Sequence, residues 1–257
     1  MDIRNKANRI RLLNFSTPQM RAFHLSWFAF HICFFGWFGI APLMAVVRED
    51  LSLTQTQIGN TIIASVAITV VVRLLIGVLC DRIGPRKTYT GLLMLGSIPV
   101  MGIGLANSFE TFLLARLAIG AIGASFVITQ YHTTMMFAPN VVGTANATSA
   151  GWGNLGGGTT QIVMPLIFAG MLMLGVNEAL GWRLAMVVPG VVLFLPVSLT
   201  GCSLKMPQTA TSASCAPAVN YRQPPESMAQ PRAFSGGKGI SAFGRCLWCT
   251  DSVLGSS

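Results

Sequence analysis

Charged residues are scarce in this chain of 257 residues. Only 10% of them are Asp, Glu, Lys or Arg, whereas a soluble globular domain carries roughly a quarter. Apolar residues make up 52%, and runs of about 20 apolar residues, long enough to cross hydrocarbon as a helix, recur between short polar breaks. This composition excludes an ordinary soluble domain and predicts an all-α membrane protein.

The chain is also poor in groups that do chemistry. It has eight acidic residues and three histidines, and no nucleophile accompanied by a base, carboxylate pair or metal-ligating cluster stands out. Its six cysteines suggest no disulfide framework, and Cys246 and Cys249, although spaced as CxxC, have no second pair. We therefore expect neither an enzyme nor a metal or cofactor site.

The apolar runs predict six membrane-spanning helices, at residues 22–47, 58–79, 88–106, 111–131, 142–170 and 182–202. Residues 1–21 form a short N-terminal segment before this domain of residues 22–202. Residues 203–257 are rich in Ser, Pro, Ala and Gly with weak periodicity, which predicts a disordered tail.

Basic residues indicate the orientation. They are frequent before the first span and in the connection after the second, at Arg82, Arg86 and Lys87, but show no excess in the alternate connections. Both termini are therefore predicted to be cytoplasmic. Since the basic residues follow membrane topology, the net charge of +9 does not indicate a nucleic-acid partner.

Arg73 is the most unusual residue, because it lies near the middle of the apolar stretch 61–79. A guanidinium at that depth costs at least about 2.5 kcal/mol. We expect it to face a polar cavity and bind an anion, with a structural ion pair as the alternative.

The connection after the second span carries an ordered set of residues. It resembles the signature between the second and third helices of the major facilitator superfamily. That resemblance implies one half of a major facilitator fold, built as two inverted three-helix repeats, with this loop acting in the conformational switch. The residues concerned are Gly77, Asp81, Arg82, Gly84 and Arg86.

A weaker match lies in the fourth span, where Arg116 is followed by Gly120 and Gly123. It is similar to the fourth-helix pattern of the same superfamily. The glycines permit close helix packing. Arg116 is either an interfacial anchor snorkelling outward or, as the resemblance implies, part of the charge coupling.

The glycine run at residues 150–161 points to a narrower family. It contains a literal GxGxxG, but a dinucleotide site needs a βαβ unit, and these flanks are membrane-spanning. The run resembles the signature of the nitrate/nitrite porters, and residues from about 21 to 201 are similar to the plant, algal and fungal high-affinity nitrate transporters. Helix packing alone is the alternative for the glycines.

The resemblance implies a substrate site near the membrane midplane. Arg73 would bind the anion and Phe126 would cover it, although Phe126 also suits a core or lipid-facing position. Asn154 can donate a hydrogen bond to an oxyanion, and glycines such as Gly153 and Gly157 expose backbone dipoles.

The implied function is transport of nitrate, with nitrite as a further substrate, coupled to protons and located in the plasma membrane. Such transporters have two six-helix halves, but no further span follows residue 201 or so. We therefore expect a truncated half. A second half-transporter or a small accessory membrane protein would be its partner, and the alternative is a half that transports nothing.

Overall fold

The computed structural model describes residues 6–10, 12 and 17–197. Within these residues the chain is α-helical, with short 3-10 turns and no strand. An isolated bridge joins Ala7 to Phe137. The helices are α1 Pro18–Phe38, α2 Met44–Asp50, α3 Gln55–Ile83, α4 Pro85–Gly102, α5 Phe109–Gly120, α6 Ser125–Met136, α7 Val142–Met173, α8 Glu178–Ala185 and α9 Val187–Val192.

These helices make six candidate membrane spans, which confirms the predicted all-α membrane fold. The spans are Gln19–Asp50, Gln55–Ile83, Pro85–Leu105, Phe109–Met136, Val142–Met173 and Glu178–Val197. Most extend beyond the apolar runs because polar residues continue the terminal turns. The predicted residues 198–202 of the last span, and the predicted tail, lie outside the described residues.

Capping residues account for two of these extensions. Thr17 accepts a hydrogen bond from the Met20 amide, and Pro18 occupies the first turn of α1, so that helix begins four residues before the predicted span. Thr54 and Gln57 form a reciprocal capping box that starts α3.

One end of the bundle gathers three connections around Arg183. Its guanidinium lies 2.9 Å from an Asp50 carboxylate oxygen and donates to the Gly104 carbonyl and the Asn107 side chain, each at 2.9 Å. The Trp182 indole donates to the same Asp50 oxygen at 3.0 Å. The connections after the first, third and fifth spans, which the sequence places on the same side of the membrane, therefore meet at one end of the bundle.

At the opposite end the N-terminal segment lies against the connection between α6 and α7. The Ala7 amide donates to the Met136 carbonyl at 3.0 Å, and the Ala138 amide donates to the Ala7 carbonyl at 3.0 Å. Phe23 and Phe137 pack edge to face beside this bridge, with ring centroids 5.4 Å apart. The described part of this segment is thus fastened to the end of the bundle.

Burial differs strongly among the spans. In the first span 61% of the most apolar window is buried, whereas in α3 and in α7 only 17% is buried. The outward faces of these two helices carry large apolar side chains, as at Leu74 and Ile162. Both helices therefore present wide apolar faces outside the bundle.

Candidate functional site

Arg73 and Phe126 come together in the structure. The guanidinium carbon of Arg73 on α3 lies 5.6 Å from the centroid of the Phe126 ring on α6, within the range of a cation–π contact. The Arg73 Nε is buried and has no hydrogen-bond partner among the described residues. Among the described residues none forms an ion pair with Arg73, so the alternative of an intramembrane ion pair at Arg73 finds no support.

Phe126 is half-buried and packs against the hydrophobic core, and so it is not simply lipid-facing. Its ring centroid lies 5.8 Å from that of Phe30 on α1, with the two planes at 59°. Phe30 is fully buried and packs edge to face on Phe34 at 4.5 Å. The sequence analysis missed Phe30, because the first span contains so many aromatic residues that spacing singles out none of them.

The glycine run of α7 brings that helix close to α1. A Cβ added at Gly153 would overlap the Phe30 ring, and one added at Gly156 would overlap the His31 carbonyl oxygen. At Gly157 a Cβ would meet the Phe38 ring at 3.3 Å. Helix packing, the alternative weighed for these glycines, therefore explains Gly153 and also Gly156, which the sequence did not single out.

Asn154 is exposed on the side of α7 next to the packed glycines. The described hydrogen bonds include none from its amide, and none joins it to Arg73. Its predicted contact with the anion thus depends on what covers the outward side of α7.

Glycines also bring α3 close to the fourth span. A Cβ at Gly120 would overlap the Ser65 carbonyl oxygen, and one at Gly123 would lie 2.9 Å from Thr69 Cγ2. The Thr69 hydroxyl donates to the Gly120 carbonyl at 2.7 Å. The close packing expected of both glycines is therefore present, and it holds the helix of Arg73 against the span of Phe126.

Arg116 lies inside the bundle, with only 7% of its surface exposed. Its Nη1 donates to the Trp37 carbonyl at 3.4 Å, while its Nε finds no partner among the described residues. The alternative that Arg116 snorkels outward is therefore wrong. Its part in charge coupling stays a prediction.

The chain matches the profile of the Major Facilitator Superfamily over residues 26–218, which is most of its length. The chain belongs to this superfamily. The expected fold class is thereby confirmed, and the superfamily is one of transporters rather than enzymes.

Curated relatives of this major facilitator chain are named as transporters. It is 43% identical over 190 residues to "High affinity nitrate transporter 2.5" of Arabidopsis thaliana, covering 74% of this chain and 38% of that protein. It is 39% identical over 200 residues to "Nitrate transporter 2.1" of Chlamydomonas reinhardtii, covering 78% and 37%. The match to "Nitrate/nitrite transporter NrtP" of Nostoc punctiforme is 34% over 182 residues, covering 71% and 36%. The chain thus spans well under half of each relative.

The major facilitator signature forms a tight turn between α3 and α4. Gly84 has φ +86°, a conformation that glycine adopts without strain, and Pro85 begins α4 directly after it. Asp81 and Arg82 are exposed, and Arg86 is half-buried. A Cβ at Gly77 would meet nothing within 4 Å, so that face of α3 is open.

Proposed function

We propose that this chain is the N-terminal six-helix half of a membrane transporter for nitrate, with nitrite as a further substrate. The observation that carries the proposal is the placement of Arg73, an intramembrane guanidinium with a buried, unpartnered Nε lying over the Phe126 ring. Nitrate is a planar monovalent oxyanion, and the planar guanidinium fork matches its geometry. The names of the relatives support the same substrate.

In this proposal the other predicted residues act around that pair. Asn154 contributes from the exposed side of α7, and the half-buried Gly157 contributes from beside the Phe38 ring of α1. The signature loop assists the conformational switch, and Arg116 takes part in coupling transport to protons. The loop residues are Gly77, Asp81, Arg82, Gly84 and Arg86.

A second six-helix unit completes the transporter. Alternating access requires two bundles that move about a central site, and α3 and α7 each leave most of their apolar window unburied. We therefore propose that a complementary half covers this face, in the plasma membrane and with the N-terminus cytoplasmic. A small accessory membrane protein is a further proposed partner.

Nitrate binding to the chain co-reconstituted with a complementary six-helix half in lipid nanodiscs, measured by calorimetry, tests the site. Arg73→Lys should raise the Kd about tenfold or more, because hydrogen bonds to charged groups contribute about 1.5–3 kcal/mol and lysine lacks the fork. The matched control is Arg48→Lys, at an exposed arginine of α2 to which no part in transport is assigned. Near-normal nitrate affinity in Arg73→Lys would refute the proposed site.

Uptake into liposomes separates transport from its alternative. The chain alone should give no saturable nitrate flux as a monomer, whereas co-reconstitution with a complementary six-helix half should give proton-dependent flux. Flux from a demonstrably monomeric preparation would refute the need for a second unit. Absence of flux in both arms would favour a half that transports nothing.

A further inference from the structure

We infer that Phe30 is a positioning residue of the anion site: seated on Gly153 of α7, it holds the Phe126 ring beneath the Arg73 guanidinium. This inference rests on the proposed function. It assigns a role to a residue that the sequence does not single out, and it changes the role of a glycine that the sequence predicts to touch the substrate.

The first step is the contact between the Phe30 ring and Gly153 of α7. Gly153 is buried, and the three atoms nearest to a Cβ built there all belong to the Phe30 ring. Phe30 itself is 0% exposed, so its ring has no free space into which to retreat. A side chain at residue 153 would therefore force the Phe30 ring to move.

The second step runs from Phe30 to Phe126. Phe30 packs on Phe34 at 4.5 Å and on Phe126 at 5.8 Å between ring centroids. Neighbouring rings at such distances prefer particular relative orientations, so a displaced Phe30 ring changes the favoured orientation of Phe126. Phe126 is only half-buried, which leaves it freer to respond than Phe34.

The third step runs from the Phe126 ring to the Arg73 guanidinium. Arg73 lies over the Phe126 ring at 5.6 Å, and the attraction between a cation and a ring depends on the cation lying over the ring face. Turning the ring would weaken that contact and change the direction in which the guanidinium fork points. Gly153 thus acts on Arg73 through two aromatic rings, those of Phe30 and Phe126, without touching the anion.

A fluorine probe tests the geometry without requiring transport. 4-Fluorophenylalanine placed at position 126 of the full chain reports the environment of that ring by ¹⁹F NMR. Gly153→Ala should shift or split this resonance. Gly151→Ala is the matched control on the same helix, because a Cβ there meets nothing within 4 Å, and it should leave the resonance unchanged. An unchanged resonance in Gly153→Ala would refute the inference.

A double-mutant cycle on nitrate affinity tests the route through Phe30. Gly153→Ala and Phe30→Leu should each raise the nitrate Kd about two- to tenfold. Combined, they should raise it no further than Phe30→Leu alone, because Gly153 then has no ring to seat. Additive effects would refute the inference and show that Gly153 meets the anion by its own backbone.

Controls separate this test from folding and from the proposed function. Phe28→Leu changes an exposed ring of the same helix that packs on Trp27, and it should leave the Kd unchanged. If Gly153→Ala does not fold, Phe30→Leu must still raise the Kd while the amount of monodisperse protein stays normal, and an unaltered Kd would refute the inference. If the wild-type chain binds no nitrate when it is paired with a complementary half, the proposed function is refuted, and the fluorine probe then decides the positioning of the rings by itself.

Discussion

Replacing Gly156 by alanine should separate α1 from α7. The added Cβ would overlap the His31 carbonyl oxygen, and it would lie 2.9 Å from the His31 carbonyl carbon and 3.1 Å from Phe34 Cβ. Two of these atoms are backbone, and the third is fixed to the backbone. Since none can rotate away, the two helices must move apart.

The magnitude follows from two opposing effects. Forcing an extra methyl group into a packed contact costs about 1–3 kcal/mol, while alanine is favoured over glycine in a helix by about 0.5–1 kcal/mol. Gly156→Ala should therefore destabilise the chain by about 1 kcal/mol, the middle of a range of roughly 0–2.5 kcal/mol. A Cβ at Gly151 meets no neighbour within 4 Å, so Gly151→Ala should only gain the stability that alanine gives a helix over glycine. Gly157→Ala meets only the Phe38 ring, which is partly exposed and can turn, so it should be close to neutral.

Unfolding of the three variants in detergent micelles, by heat or by titrated dodecyl sulfate, provides the measurement. We expect Gly151→Ala to be the most stable of the three variants, Gly157→Ala to be intermediate and Gly156→Ala to be the least stable. A Gly156→Ala variant as stable as Gly151→Ala would refute the close approach of α1 and α7, on which the contact between Phe30 and Gly153 depends.

Two further substitutions test the ends of the bundle. Arg183→Gln should lower the unfolding free energy by about 2 kcal/mol in the same assay, because it removes the ion pair to Asp50 and hydrogen bonds made by a charged group. The control is Arg48→Gln, at an exposed arginine. Equal stability of the two variants would show that the contacts of Arg183 do not stabilise the fold. Gly84→Ala should lower the unfolding free energy by about 1–3 kcal/mol, because residue 84 has a φ of +86°. Gly91→Ala, where an added Cβ meets open space, should not destabilise the fold. A Gly84→Ala variant of unchanged stability would show that the turn can change its conformation.

The sequence alone determined the spans and their number. Each apolar run predicts its own helix because hydrocarbon favours apolar side chains residue by residue and requires the backbone to satisfy its own hydrogen bonds. For the same reason Arg73 stood out without any structure, since its cost depends on depth in an apolar run. The signature at the turn and the resemblance to the porters likewise rest on local order in the chain.

Only the tertiary structure decided which side of each helix meets a neighbour. A glycine run presents small residues on every side, so the sequence could not tell that Gly153 and Gly156 face α1 while Asn154 faces outward. It also left open whether Arg116 points inward. These outcomes depend on helix crossings, where a rotation of one residue moves a side chain by about 100° around the axis. The placement of Phe30 between Gly153 and Phe126 is decided in the same way, by packing between residues far apart in the chain.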